Sequence, residues 1–163
     1  MVTGKTFVLD TSAIIAGFVP GLAETDQITV PEVLEEARDL CSKLELETAV
    51  ISGKVRVMEP SQKSLATVRA KSRHTGDVVS QTDIKLLALA LDCRDEGAEL
   101  VTDDYGIQNL ASLLGIPYRR VVMPGIKEVL RWESVCPGCG RRYPPSVAEC
   151  PICGSMLERR ARR

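Results

Sequence analysis

T-F-V-L-D-T-S-A-I-I-A, at Thr6–Ala16, reads as a short apolar strand that stops on a carboxylate and passes straight into a helix. Thr11 or Ser12 supplies a hydroxyl to cap that helix. A strand that feeds a helix without a hairpin turn is the first half of a βα unit. Outward from it the same alternation repeats. Gln27–Val30 reads as a second strand, with Pro31 placed as a first helical residue. Leu34, Ala37, Cys41 and Leu44 then recur at helical spacing. Val55–Met58 reads as a third strand, bounded by Gly53 and Pro60. Ser61–Arg73 reads as a helix with Leu65 and Val68 as its apolar points, and Lys71–Asp77, which has no apolar residue, reads as a loop. Ser80–Glu96 carries the clearest helical stripe, Ile84, Leu87, Ala88 and Leu91; Ser80 with Asp83 fits a capping box and Gly97 ends it. Glu99–Thr102 is a strand running into Asp103 and Asp104, Tyr105–Leu114 a helix stopped by Gly115, and Tyr118–Val122 a last strand. The expected class is α/β, a mainly parallel sheet flanked by helices.

The chain has 163 residues, 44% hydrophobic and 26% charged, enough for one ordinary domain plus a small module. The expected boundaries are an α/β domain at 5–124, a junction at 125–134 opened by the break Met123-Pro124-Gly125, a cysteine module at 135–158 and a basic tail at 159–163. No apolar run approaches the ~18 residues of a membrane span. The stretch Met1–Lys5 leads straight into the first strand, too short for a secretion signal, so a soluble cytoplasmic protein is expected. The net charge of −1 is unevenly spread: residues 1–130 hold 14 Lys and Arg against 19 Asp and Glu, residues 131–163 hold 7 against 3. A basic tail behind an acidic front points to nucleic acid, although a short arginine run is also often merely solvated.

Four of the six cysteines fall in one pattern, Cys136-x2-Cys139-x10-Cys150-x2-Cys153. Two intervening residues let a tight turn aim both sulfurs at one metal. Gly140 and Gly154 follow each pair and allow the backbone angles that turn needs. Four thiolates make a closed tetrahedral set, the structural zinc pattern of a small rubredoxin-like ribbon. About thirty residues cannot fold on an apolar core alone, so metal would supply most of the folding free energy. Cys41 and Cys93 lie in helix-like segments and are expected to be buried.

Four acids stand out by position. Asp10 ends the first strand, Glu36 lies in the helix after the second, Asp83 in the first turn of the strongest helix, and Asp103 directly after a strand with Asp104 beside it. In open parallel sheets, ligands bind beyond the carboxyl ends of the strands. Converging carboxylates repel without a cation, and hard oxygens suit Mg²⁺ or Mn²⁺, which acidify a bound water and clamp phosphate oxygens. Each acid also has a plain structural explanation. Asp10, Asp83, Asp103 or Asp104 would cap helix starts, and Glu36 would be one more charge on a helix that also carries Glu32, Glu35 and Asp39.

V-L-D-T-S at Val8–Ser12, P-E-V-L-E-E-A-R-D around Glu36, S-x-T-D at Ser80–Asp83 and V-T-D-D at Val101–Asp104 resemble, in order, the acidic motifs of PIN domains. That resemblance implies a metal-dependent ribonuclease with one or two Mg²⁺ or Mn²⁺ held by Asp10, Glu36, Asp83 and Asp103. Thr11 or Ser12 would be a supporting hydroxyl and Asp104 a further member. A PIN domain followed by a four-cysteine ribbon resembles the NOB-one family, endonucleases that trim the 3′ end of small-subunit ribosomal RNA precursors. The compact chain looks like an archaeal member. The resemblance further implies cleavage to a 3′-hydroxyl and a 5′-phosphate, and a KH-domain RNA-binding companion. Candidate RNA contacts are Arg69, Lys71, Arg73 and His74, then Arg141 and Arg142 in the ribbon, and Arg159, Arg160, Arg162 and Arg163 in the tail. Trp132, the single tryptophan, is expected to pack the junction or to stack on a base. Two other readings stay open: a non-catalytic zinc-ribbon RNA-binding assembly factor, and a toxin-like PIN ribonuclease acting on other RNA, against which the ribbon argues.

Overall fold

The structure is a computed structural model that describes residues 4–21, 25–121 and 129–162. Five parallel strands form the main sheet: β1 (Thr6–Leu9), β2 (Asp26–Thr29), β3 (Val55–Val57), β4 (Glu99–Val101) and β5 (Tyr118–Arg119), in the order β3-β2-β1-β4-β5. The order follows from the connections. Each of β1 to β4 is followed by helix, so each next strand lies parallel to the last, and the chain winds outward from β1 first through β2 and β3, then through β4 and β5. β1 and β4 are therefore neighbours whose onward connections diverge, and the crevice where ligands bind in such sheets opens beyond their carboxyl ends. The pairing continues one step past the strands, with Asp10 N–H donating to Val101 O at 3.2 Å, so residue 10 and the 102–104 segment lie side by side.

Helices α1 (Thr11–Ile15), α2 (Pro31–Glu36), α3 (Leu40–Ile51), α4 (Gln62–Thr75), α5 (Gln81–Asp92) and α6 (Tyr105–Leu114) flank the sheet. α5 packs on β1, β4, α4 and α6. It is buried beyond the stripe expected from sequence: Leu86, Leu89 and Ala90 join Ile84, Leu87 and Ala88 in the core. A helix closed in by a sheet on one side and two helices on the other needs apolar residues almost all round. Burying a leucine there stabilises by about 2 kcal/mol.

Several local expectations are corrected. The stripe Leu34, Ala37, Cys41, Leu44 is not one helix: the backbone turns extended at Ala37 (ψ 100°) and restarts at α3, where Asp39 accepts from Ser42 N–H at 2.8 Å. The break rotates the later residues outward, so Cys41 and Leu44 are exposed and Leu46 and Ala49 face the core. Lys71–Asp77 is not a loop up to Thr75. α4 runs on until Gly76 ends it at φ +73°, and Ser72 and Thr75 make up for the missing apolar points by packing inward as small polar residues. Cys93 is half-buried rather than buried. The last strand covers only Tyr118–Arg119, and the break at Met123-Pro124-Gly125 lies outside the described residues.

A second, antiparallel sheet follows, with β6 (Arg131–Val135) between β7 (Arg142–Tyr143) and β8 (Glu158–Arg162). Its strands take in residues 131–134, expected in the junction, and 159–162, expected in the basic tail. Five register pairs zip β6 to β8, from Arg131 opposite Arg162 to Val135 opposite Glu158. The ribbon is bound to the α/β domain through Asp77. Asp77 accepts from Trp132 Nε1–H at 3.0 Å, from Asn109 Nδ2–H at 2.9 Å and from Thr75 O–H at 2.6 Å. Asn109 also holds both backbone groups of Leu130. Trp132 thus sits at the junction, with the Arg159 guanidinium 4.0 Å over its ring and Pro145 pressed against Gly76.

Candidate active site and metal centre

The thiol site is closed and tightly made. In each knuckle the glycine after the second cysteine adopts positive φ, +71° at Gly140 and +72° at Gly154, and donates its N–H to the first cysteine's carbonyl at 2.9 Å. Cys139 N–H points at Cys136 Sγ at 3.4 Å. The four sulfurs of Cys136, Cys139, Cys150 and Cys153 all lie within 4.8 Å of one another. The nearest pairs, Cys136–Cys153 at 3.4 Å and Cys139–Cys150 at 3.7 Å, are far longer than a ~2 Å disulfide. They match the ~3.8 Å edge of a tetrahedron with ~2.3 Å metal–sulfur bonds. The donor set therefore fits a metal ion, and the Tyr143 hydroxyl, 3.3 Å from Cys150 Sγ, adds an outer-shell contact.

The acids gather at the carboxyl edge of the main sheet. Asp10 follows β1 and is buried, with one oxygen accepting from the Ser12 hydroxyl and, at 2.7 Å, from Thr102 O–H. Burial pushes its carboxyl up to about 6; the two hydroxyls oppose this, and the charges of Asp83 and Asp104 add to it. Asp83 is also raised, first by burial, with Asp104 and Glu36 contributing repulsion. Mutual repulsion thus links Asp10, just after β1, with Asp83 on α5, Asp104 in the β4–α6 turn and, through Asp83, Glu36 on α2.

Capping and site-building prove compatible, because each acid spends a single oxygen on the protein. Asp83 Oδ2 accepts Ser80 N–H at 2.7 Å in a full capping box. Asp104 Oδ1 accepts Ile107 N–H at 3.0 Å, and Glu36 Oε1 accepts from the Thr82 hydroxyl. Among the described residues no hydrogen bond is made to Asp10 Oδ1, Glu36 Oε2, Asp83 Oδ1 or Asp104 Oδ2. The Thr11 hydroxyl beside them is buried with no hydrogen-bond partner. Second oxygens crowded by like charge, next to an orphaned hydroxyl, suit a hard cation with its water shell. The carboxylates stand wider apart than the thiols. Among the described residues only the four cysteines bring three or more candidate ligand atoms within 4.8 Å of one another.

Asp103 and Asp104 lie side by side in the β4–α6 turn. Asp103 Oδ1 accepts Val121 N–H at 2.7 Å, and the charge of Asp104 acts on both Asp10 and Asp83. Ser12 is a scaffold at this point: its hydroxyl donates to Asp10 and accepts Asp103 N–H at 3.1 Å. Thr82 and Thr102 escaped the sequence reading. Each immediately precedes an acid, Asp83 and Asp103, and each hydroxyl reaches an acid from another part of the chain, Glu36 and Asp10.

The sequence model of a family described as "PIN domain of ribonuclease" matches residues 7–93. Endoribonuclease Nob1 of Pyrococcus abyssi is 39% identical over 160 residues, covering 96% of this chain and 94% of that protein. The chain belongs to the Nob1 endoribonuclease family. Endoribonuclease Nob1 of Methanothermobacter thermautotrophicus is 40% identical over 161 residues, covering 96% and 93% of the two chains. That of Methanocaldococcus jannaschii is 42% identical over 158 residues, covering 96% and 78%. The family carries what the geometry allows, a metal-dependent nuclease domain with a parallel sheet and a four-cysteine module, as the sequence motifs implied.

The candidate RNA contacts fall on α4 and on the ribbon. Arg69 and Arg73 lie one turn apart on α4, whereas Lys71 points away from that line and is half-buried. His74 faces the ribbon, lining a cleft with Arg142. Arg142 is paired with Glu133 at 3.2 Å, and Arg159 is committed to Trp132 and the Gly76 carbonyl. No helix among the described residues is long and apolar enough to cross a membrane.

Proposed function

We propose that this chain is the endoribonuclease that trims the 3′ end of the small-subunit ribosomal RNA precursor, with Asp10, Glu36, Asp83 and Asp104 as its metal-holding acids and Asp103 bracing the turn beside them. The observation that carries the reading is the convergence of four acids at the β1–β4 crevice, with the Asp10 carboxyl raised to about 6. A site that pushes its own acids toward protonation is built for a positive charge. The catalytic ion would be Mg²⁺ or Mn²⁺, one or two in number, and the ribbon ion Zn²⁺, on the hardness of oxygen and the softness of sulfur. Such a hard ion, when bound, stabilises charge on the phosphate and acidifies the attacking water. The protein's part is positional. Ser12 and Thr102 lock Asp10, Thr82 locks Glu36, and the capping bonds of Asp83 and Asp104 fix those two, which leaves a second oxygen of each for an ion. Clustered thiols serving as metal ligands fit the reducing cytoplasm. A KH-domain assembly factor as companion rests on family resemblance.

The test is incubation of the purified protein with a 3′-extended small-subunit rRNA fragment and Mn²⁺, with the ends of the products mapped. The expected result is a single cut at the mature 3′ end, lost in Asp10→Asn while RNA is still bound. Absence of cleavage across several divalent ions, or an Asp10→Asn protein that cuts at the wild-type rate, would leave a zinc-stapled RNA binder instead.

A further inference from the structure

The register of the ribbon sheet sets two arginines against each other. Arg131 opens β6 and lies directly opposite Arg162 near the end of β8; two residues on, Glu133 lies opposite Arg160, and then Val135 opposite Glu158. Alternation along strands puts all six on one face of the sheet. The two acids of that face are already engaged. Glu158 pairs with Arg160 at 2.8 Å, and Glu133 pairs with Arg142 from β7 at 3.2 Å. Among the described residues no carboxylate pairs with Arg131 or Arg162. Like charges directly opposite on antiparallel strands are destabilising, with side-chain origins ~5 Å apart. An anion bridging them turns that repulsion into attraction.

The space beside them fits more than a bare ion. Both arginines line a cleft of about 390 Å³ between the ribbon sheet and the end of α4, and His74, Trp132, Tyr143 and Pro145 also wall it. Guanidinium groups recognise phosphate oxygens through paired N–H donors, and aromatic and proline faces accept a nucleobase without regard to its identity. We propose that Arg131 and Arg162 form a seat for one backbone phosphate of single-stranded RNA, with the adjoining unpaired base lodged in the cleft. The inference rests on the reading of the protein as an RNA nuclease and adds a positioning subsite on the ribbon, away from the acids. Arg162 belongs to the basic tail, and only the β6–β8 pairing brings Arg131, 31 residues earlier in the chain, to it.

Binding is measured in the Asp10→Asn background, so that it reads RNA affinity whether or not the protein cuts. The probe is a 5′-labelled, 3′-extended rRNA fragment followed by fluorescence anisotropy from about 50 to 200 mM KCl. Arg131→Glu is the informative variant, because it sets a carboxylate opposite Arg162 and so mends the sheet while removing the seat. The expected outcome is a thermal midpoint equal to or above that of the parent, with affinity weakened about tenfold and the salt slope shallower by about 0.7 to 1. Arg162→Glu should behave alike. Lys43→Glu, the same charge change on α3, should stay within about twofold. Equal losses for Lys43→Glu would show a general charge effect and overturn the seat, as would unchanged affinity and slope in both arginine variants. A blunt-ended duplex of the same sequence should bind more weakly and lose less on Arg131→Glu; an equal loss would overturn the unpaired-base assignment. A failure of cleavage in the wild-type protein would bear on the nuclease reading alone, since none of these measurements needs a cut.

Discussion

Asp10→Asn should make the cation-free protein more stable while removing its activity, because the carboxylate is held where burial disfavours its charge. Asp10 is 4% exposed and its carboxyl is pushed from 3.8 to about 6, chiefly by burial. The sign follows from proton linkage: the folded state holds this proton more tightly than the unfolded chain. Stability from this group is therefore highest at low pH, falls as pH rises through the window from about 4 to 6, and stays reduced above it. At about 1.4 kcal/mol per pH unit the reduction at pH 8 is about 3 kcal/mol. The amide keeps an acceptor for the Ser12 and Thr102 hydroxyls, but its NH₂ group faces the crevice with no acceptor assigned to it, costing about 1 to 2 kcal/mol. The net gain of about 1 to 2 kcal/mol raises the melting temperature by about 2 to 8 °C for a chain of this size. The assay is thermal unfolding of zinc-loaded protein in buffer stripped of Mg²⁺ and Mn²⁺, at pH 8 and pH 5. The variant should melt higher at pH 8, and its advantage should shrink at pH 5, where Asp10 of the wild type is largely protonated. Added Mn²⁺ should raise the wild-type midpoint and leave the variant's unchanged. Equal midpoints at pH 8, or an advantage that persists undiminished at pH 5, would refute the reasoning.

Asp104→Asn retains an N-cap for α6 and should still fold, yet slow single-turnover cleavage by about a hundredfold or more; Asp103→Asn, which keeps an oxygen for Val121 N–H and removes only a charge that this reading does not place on the ion, should slow it far less. The reverse order would place Asp103 on the cation. Cleavage should also decline as pH falls through about 6, since the ionised form of Asp10 is the one that binds, and a rate flat down to pH 4.5 would exclude that role. Cys150→Ser should abolish the tightly held metal, read as the loss of one zinc equivalent by metal analysis, and expose the ribbon's amides to hydrogen exchange while those of α5 stay protected. Asp77→Ala strands the Trp132 indole N–H and Asn109, costing about 1 to 3 kcal/mol, and the fluorescence of this single tryptophan should shift to the red. An unshifted spectrum would mean that the ribbon docks by other contacts.

Much of the fold was legible because its signals are local. Apolar runs ending in turns, Pro31 at a helix start and Gly97 and Gly115 at helix ends each depend on residues within a turn or two. The misreadings came where tertiary burial overrode a local pattern. A lawful helical stripe through Cys41 was broken by the kink at Ala37, and a polar segment at Lys71–Thr75 stayed helical because small hydroxyl residues pack inward against their neighbours. At the site, the sequence singled out candidate acids but offered capping as an equal explanation. Only the hydrogen bonds show that Asp83 and Asp104 cap with one oxygen and that Asp10 and Glu36 lean on hydroxyls with one.

The sequence by itself determined the thiol site, since two short knuckles carry all four ligands and need little beyond their own turns, and it determined the alternation of strands and helices in the main sheet, though not the break between α2 and α3 or the strands of the ribbon. Only the tertiary structure decided that Thr82 and Thr102 hold acids 46 and 92 residues away, and that Arg131 meets Arg162. The physical reason is the same in each case. A side chain's direction at the end of a strand, and its partner across a sheet, are fixed by register and twist, which the whole packed chain sets and no window of neighbouring residues contains.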